Sequence, residues 1–346
     1  MPSVDLTTLP GWASLSTGSH NITIVAKADG YRDSEPSAAV SVEKAASVYT
    51  DCITFTGESS DFTLAVGSNG AKEWDGTVEY STDHNTWTTW DGTAVSSIDK
   101  KLYLRGIGNT TFYTKIGAGF VLSARAACSG NIQTLLEYSN PPTSIPAIYC
   151  YNSLFSGCTS LTQAPALPAT TLASDCYGFM FRNCTSLTQA PALPATTLET
   201  SCYGSMFSGC TSLTQAPALP ATTLASDCYD SMFFGCTSLT QAPALPATTL
   251  ADYCYAAMFF GCTSLTQAPA LSATTLASDC YSNMFRGCKS LKISATKSTG
   301  YPTAWRIPSS GTISSAPTSW NSSMLTGTGG TFTSNPSINT TYYGAW

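Results

Sequence analysis

Between Cys150 and Cys288 apolar and polar positions recur in one order, and that order repeats every 26 residues. One unit reads C-Y-D-S-M-F-F-G-C-T-S-L-T-Q-A-P-A-L-P-A-T-T-L from Cys228 to Leu250. Its leading cysteine recurs at Cys150, Cys176, Cys202, Cys228, Cys254 and Cys280, and a second follows at Cys158, Cys184, Cys210, Cys236, Cys262 and Cys288. A period of this length signals a solenoid, in which each coil is too small to bury its own apolar face. Cys228, Met232 and Phe233 fall at i, i+4 and i+5, which predicts one stripe of a short helix. Ser226 and Asp227 precede it as N-caps and Gly235 stands where it would end. The second half predicts a strand at Leu-Thr-Gln, with Leu239, Ala242, Leu245 and Leu250 facing inward. Pro165, Pro191, Pro217, Pro243 and Pro269 have no N–H to donate, so that strand should stop after about three residues.

Upstream the pattern changes to alternation. Residues 46–130 predict a small β-sandwich, with strands at Ile53–Thr56, Phe62–Val66, Thr77–Tyr80, Thr86–Trp90, Lys101–Arg105, Phe112–Lys115 and Phe120–Ser123. Trp74, Trp87, Trp90, Tyr80 and Tyr103 read as core and hairpin packing, the alternative being a sugar-stacking platform. A disulfide between Cys52 and Cys128 would staple the block's ends, and sequence alone does not decide it. In residues 1–45, Ile22, Ile24 and Ala26, a turn at Asp29-Gly30 and a strand at Ala38–Val42 resemble the last hairpin of an immunoglobulin-like or fibronectin-like module. A complete sandwich needs about seven strands, so the expectation is a remnant of a longer chain. Residues 131–292 then form the coils, and 293–346 a closing cap or tail.

Composition narrows the function classes. Charged residues make up 10% of the chain, and the net charge is −6 with 15 Lys and Arg. No basic stripe exists to displace counterions from nucleic acid. No apolar run approaches the length of a membrane span. His20 and His84 lie outside the repeats and no C-x-x-C occurs, so the twelve repeat cysteines read as buried thiol fillers rather than metal ligands or redox centres. Neither a metal nor a cofactor is expected. Tyr80-Ser-Thr-Asp-His-Asn-Thr-Trp87 resembles the Asp-box hairpin of sialidases, without an arginine cluster or nucleophile beside it.

The repeat words M-F-x-G-C-T-S-L-T and L-P-A-T-T-L resemble the BspA-like leucine-rich repeats of bacterial surface and phage-associated proteins. The preceding D-F-T-L…W-D-G-T-V-E-Y-S-T-D…C-S-G-N-I-Q-T-L-L resembles the domain that often precedes them. The resemblance implies an α/β solenoid of leucine-rich-repeat type, with a short strand and short helix per coil, behind an all-β sandwich. It also implies attachment to a protein or glycan on a host or bacterial surface, at a cell surface or on a phage tail, without catalysis.

Comparing the six copies separates two candidate surfaces. Gln163, Gln189, Gln215, Gln241 and Gln267 form a uniform row, whereas the position after the phenylalanine is individual, with Arg182, Phe234, Phe260 and Arg286 among its occupants. Phe234 and Phe260 fall side by side in adjacent coils. The acidic residues Asp175, Glu199, Asp227, Asp230, Asp252 and Asp279 are scattered near predicted caps and do not pair as glycosidase carboxylates would. The expectation is a non-enzymatic recognition protein, the alternative a structural spacer or tail-fibre component with its tip at Trp305, Trp320 and Trp346.

Overall fold

The cysteine-led segments fold as walls of consecutive turns. In the computed structural model, which describes residues 18–22, 40–44, 52–67, 72–114 and 119–346, every fourth residue of these segments has a left-handed backbone. Asp227, Ser231 and Gly235 (φ 58°, 53° and 69°) occupy those places in one coil, and Asp279, Asn283 and Gly287 (52°, 56° and 76°) in another. A left-handed residue at every fourth position ends a right-handed helix before it can propagate.

Backbone hydrogen bonds alternate accordingly. Gly204 and Met206 N–H donate to Ser201 and Tyr203 carbonyls, closing turns within the coil. Tyr203, Ser205 and Phe207 N–H donate instead to Cys228, Asp230 and Met232 carbonyls of the next coil. The alternation satisfies the wall's amides without a helix. Side chains follow in pairs: Cys228-Tyr229, Met232-Phe233 and Cys236 are buried, while Asp230-Ser231 and Phe234-Gly235 face outward.

This corrects the expected fold class. Among the described residues there is no α-helix, and the one helical element is a 3₁₀ turn, Ile132–Leu135. The α/β leucine-rich-repeat architecture is therefore overturned in favour of a stack built from turns, bridges and short strands. The Leu-Thr-Gln strand exists only in the first coil, as Leu161–Gln163. Later coils touch through single parallel bridges, Gln189 to Gln215, Thr197 to Thr223, Gln241 to Gln267, Leu245 to Leu271 and Thr249 to Thr275. The prolines between these points break the ladder because they cannot donate.

Like residues stack on like along the interior. Tyr177, Tyr203, Tyr229, Tyr255 and Tyr281 follow one another with ring centroids 5.7–5.9 Å apart. Phe181, Phe207, Phe233, Phe259 and Phe285 do so at 5.6–5.7 Å or 5.8 Å. These are offset parallel stacks within the range that aromatic pairs prefer.

The chain divides into two units, Met1–Thr50 and Asp51–Trp346. In the first, β1 (Gly18–Ile22) pairs antiparallel with β2 (Val40–Lys44), Gly18 opposite Lys44. Ile24, Ala26, the Asp29-Gly30 turn and Ala38 lie outside the described residues.

The second unit begins with β3 (Ile53–Gly57), β4 (Thr63–Val66), β5 (Lys72–Trp74), β6 (Thr77–Ser81), β7 (Thr88–Thr89), β8 (Val95–Ser96) and β9 (Lys101–Ile107). It continues with β10 (Phe112–Thr114), β11 (Phe120–Leu122), β12 (Ala126–Ser129) and the first coil's β13 (Leu161–Gln163). Strand alternation places Ile53, Phe55, Leu102 and Leu104 inside. One sheet has the order β13-β12-β3-β9-β6-β7, so the first coil extends the upstream sheet through a parallel β12–β13 pair. A second sheet, β11-β4-β8, supplies Phe120, whose ring meets Phe155 of the first coil at 5.4 Å. Phe120 N–H also donates to the Leu154 carbonyl, closing that end of the turn wall.

At the far end Tyr281, Asn283, Phe285 and Gly287 N–H donate to Trp320, Ser322, Met324 and Thr326 carbonyls. The segment Trp320–Thr328 is thus a seventh row of the wall, 40 residues after the sixth rather than 26. Beyond it β14 (Ile293–Ser294), β16 (Thr341–Gly344) and β15 (Thr303–Arg306) form a small sheet in that order.

Candidate functional site: a groove and a wall on the coil stack

The Gln-Ala-Pro-Ala-Leu-Pro segments build a shallow groove along one face of the stack. Gln163, Gln189, Gln215, Gln241 and Gln267 are all exposed there, held in register by the parallel bridges that flank the prolines. Leu167, Leu193, Leu219, Leu245 and Leu271 turn inward and anchor the segment. Four depressions open on this face. The largest, about 480 Å³, is lined by Gln163, Pro165, Leu167, Pro168, Pro191 and Pro194 among others. Two more, about 190 and 230 Å³, share Ala242 and Pro269. The fourth, about 330 Å³, adds Trp305, Arg306 and Trp346 to Gln267 and Ala268. No ionisable side chain lines the first three. The chemistry on offer is amide hydrogen bonding at the first five coils beside apolar patches of proline and alanine.

The turn wall is the other surface. Its outward pairs form three stripes. One carries Asp175, Asp227 and Asp279, with Glu199 and Asp252 beside them; the second is mostly small; the third holds Arg182, Ser208, Phe234, Phe260 and Arg286. Phe234 and Phe260 stack face to face at 4.6 Å and 12°, and the Arg286 guanidinium lies 5.5 Å from the Phe260 ring. Arg182 sits 5.7 Å from the Phe179 ring. Burial pushes the Asp175 and Asp227 carboxyls up, helped by the negative charges of Asp227 and Asp252 respectively. Asp230 is pushed up to about 6, chiefly by burial, against a hydrogen bond from Ser231.

The repeat cysteines face neither surface. All twelve are free and buried, and the Cys52–Cys128 disulfide is not formed: Cys128 is a buried thiol and Cys52 Sγ lies 3.3 Å from His84 Nε2. Five of the six second cysteines have a partner that the repeat alone does not announce. Cys184, Cys210, Cys236 and Cys262 Sγ donate to the carbonyls of Phe155, Phe181, Phe207 and Phe233 in the preceding coil at 3.1 Å. Cys288 does the same to Phe259 at 2.9 Å. Burial raises these thiols, Cys210 and Cys288 to about 12, which removes the thiolate needed for nucleophilic or metal chemistry. Among the described residues no group of His, Cys, Asp and Glu is arranged to hold a metal.

In the upstream block the large rings cover one another. Trp74 stacks on Trp90 at 5.8 Å and on Phe112 at 5.1 Å, and Tyr103 on His84 at 4.6 Å. Arg105 lies between Trp87 and Tyr138, 4.0 and 4.3 Å from their rings, with Glu79 Oε2 at 2.7 Å. A sugar-stacking platform is therefore not formed by these residues. Asp83 braces the hairpin by accepting from Asn85 and Thr86 N–H at 2.8 and 2.7 Å and from Ser81 Oγ at 2.9 Å. Those donors hold its carboxyl well below the usual range. Trp305 and Trp320, read as a binding tip, are buried, and of the three Trp305 and Trp346 line the fourth depression while Trp320 does not.

Two features escaped the sequence reading. The groove depends on which side of the proline segment faces out, which no periodicity states. The seventh row was legible: N-S-S-M-L-T-G at Asn321–Gly327 follows Y-S-N-M-F-R-G at Tyr281–Gly287 place for place. No family model matches this chain, nor does any curated protein or solved structure.

Proposed function

We propose that this protein is a non-catalytic recognition protein of a cell or virion surface, and that it holds an uncharged glycan chain along the glutamine–proline groove. The single observation that carries the reading is the set of four depressions along the glutamine–proline segments, floored largely by proline and alanine, with an exposed glutamine in five of the six coils. A repeating polymer matches a repeating row: each sugar can present hydroxyls to an amide and its C–H face to proline or alanine. Trp346 adds an aromatic ring at the groove's end. The resemblance of the repeat words to BspA-like surface proteins agrees with attachment, and the low charge agrees with a neutral ligand.

A glycan array probed with the full chain, followed by calorimetry on the best neutral oligosaccharide, tests this. Gln163→Ala with Gln241→Ala and Gln267→Ala should weaken binding about tenfold or more, since each lost amide leaves sugar hydroxyls unpaired at about 1 kcal/mol apiece. Deleting one coil, residues 203–228, should weaken the longest oligosaccharides and spare the shortest. Unchanged affinity in both variants would remove the groove from recognition and favour the spacer reading.

A further inference from the structure

The turn wall carries a charge pattern that the groove does not use. Its outward pairs make three stripes parallel to the stack axis. The first holds all but one of the acidic residues of the coils, Asp175, Glu199, Asp227, Asp252 and Asp279. The third holds both arginines of the wall, Arg182 and Arg286, with Phe234 and Phe260 between them. The middle stripe is mostly Gly, Ala and Ser, with Phe179 and Asp230 its bulkier members.

Among the described residues, ion pairs join Arg105 to Glu79 and Arg125 to Glu58, and none joins either stripe. The phenylalanines are also presented in a particular way. Phe260 stacks on Phe234 and lies near the Arg286 guanidinium, and Phe234 is 39% exposed. The third stripe is therefore cationic at Arg182 and Arg286, with the stacked rings of Phe234 and Phe260 between them.

We propose that the turn wall is a self-association surface, on which two copies of this chain meet wall to wall with their stacks parallel. Symmetry selects that arrangement. A two-fold axis along the stack lays the acidic stripe of each copy on the arginine–phenylalanine stripe of the other, coil against coil. Arg182 then faces the partner copy's acidic stripe near the level of Asp175 and Glu199, and Arg286 near that of Asp279. A two-fold axis across the stack would set acid on acid. The acidic stripe has room for cations: burial raises the Asp175 and Asp227 carboxyls, and the neighbouring charges of Asp227 and Asp252 respectively raise them further. Six coils at about 4.8 Å each give a face about 30 Å long, which belongs with small, concentration-dependent interfaces. Charge pairing across such a face is weakened by salt.

Sedimentation equilibrium of the full chain tests the proposal. The wild type should pass from monomer to dimer mass as concentration rises, and at least tenfold more concentrated protein should be needed in molar salt. Arg182→Glu with Arg286→Glu, and separately Glu199→Lys with Asp279→Lys, should each stay monomeric with unchanged circular dichroism. An equimolar mixture of the two should recover the dimer mass. Should a double variant fail to fold, Arg286→Glu at its exposed site carries the test alone, with at least a tenfold weaker dimer expected. A wild type monomeric at every concentration, or a mixture of folded variants that stays monomeric, overturns the proposal and leaves the wall to a foreign acidic partner.

Discussion

Asp230 shows how a single side chain on the wall can be out of balance with its surroundings. Its carboxyl is pushed up to about 6, mainly because the wall excludes water from it. The folded value lies above that of an unfolded aspartate, so the fold binds this proton more tightly than the unfolded chain does. Stability is therefore lower at neutral pH and recovers as pH falls through about 6 toward about 4. Asp230→Asn should stabilise by about 1 kcal/mol at pH 7.5, after discounting for partial exposure, and by nothing near pH 4. Thermal midpoints at the two pH values check this. The cysteines show the opposite case, residues matched to their sites. Their sequence spacing marks them as interior, yet nothing in the spacing tells that the second thiol of one coil reaches a phenylalanine carbonyl of the coil before. That bond joins residues 29 apart in sequence, and only stacking brings them together.

At the scale of the element, the turn wall and a short helix demand nearly the same pattern of residues. Cys228, Met232 and Cys236 recur at intervals of four. On a helix this would drift by about 40° per step, a tolerable error over nine residues, so a helical stripe is a reasonable reading. On the wall the interval is the period itself, with two residues in and two out. The distinguishing signal lies in the outward pairs, where Asp, Asn, Ser and Gly collect at the left-handed positions. Ala257, Tyr253 and Phe179 occupy such positions without that tolerance, at φ 48°, 55° and 57°. Ala257→Asn should therefore stabilise by about 0.5 kcal/mol. Ala257→Val should destabilise by about 1–2 kcal/mol, because a β-branched residue fits positive φ worst. Urea midpoints of the two variants decide it, and equal effects would deny the strain.

For the whole molecule, stability rests on closed ends. The upstream sheet takes up the first coil's carbonyls and the Trp320–Thr328 row takes up the last coil's amides. Removing residues 298–346 should leave the N–H groups of Tyr281, Asn283, Phe285 and Gly287 without acceptors and uncover the ring of Tyr281, now against Trp320 at 6.1 Å. At about 1 kcal/mol or more for each unmet amide, the sixth coil should fray. A thiol reagent would then label Cys280 and Cys288 rapidly while Cys202 and Cys210 stay protected. Full protection of all four would mean that the row is dispensable.

What the sequence determined by itself is the phase of the six regular coils and which of their residues point inward, since a 26-residue repeat with recurring apolar places admits no other register. What only the tertiary structure decided is the backbone path through each cysteine-led segment. Local pattern leaves helix and turn wall almost equal, and the choice falls to the neighbouring coil. A helix would keep its hydrogen bonds to itself, whereas the wall sends every second amide to the next coil, where a carbonyl waits.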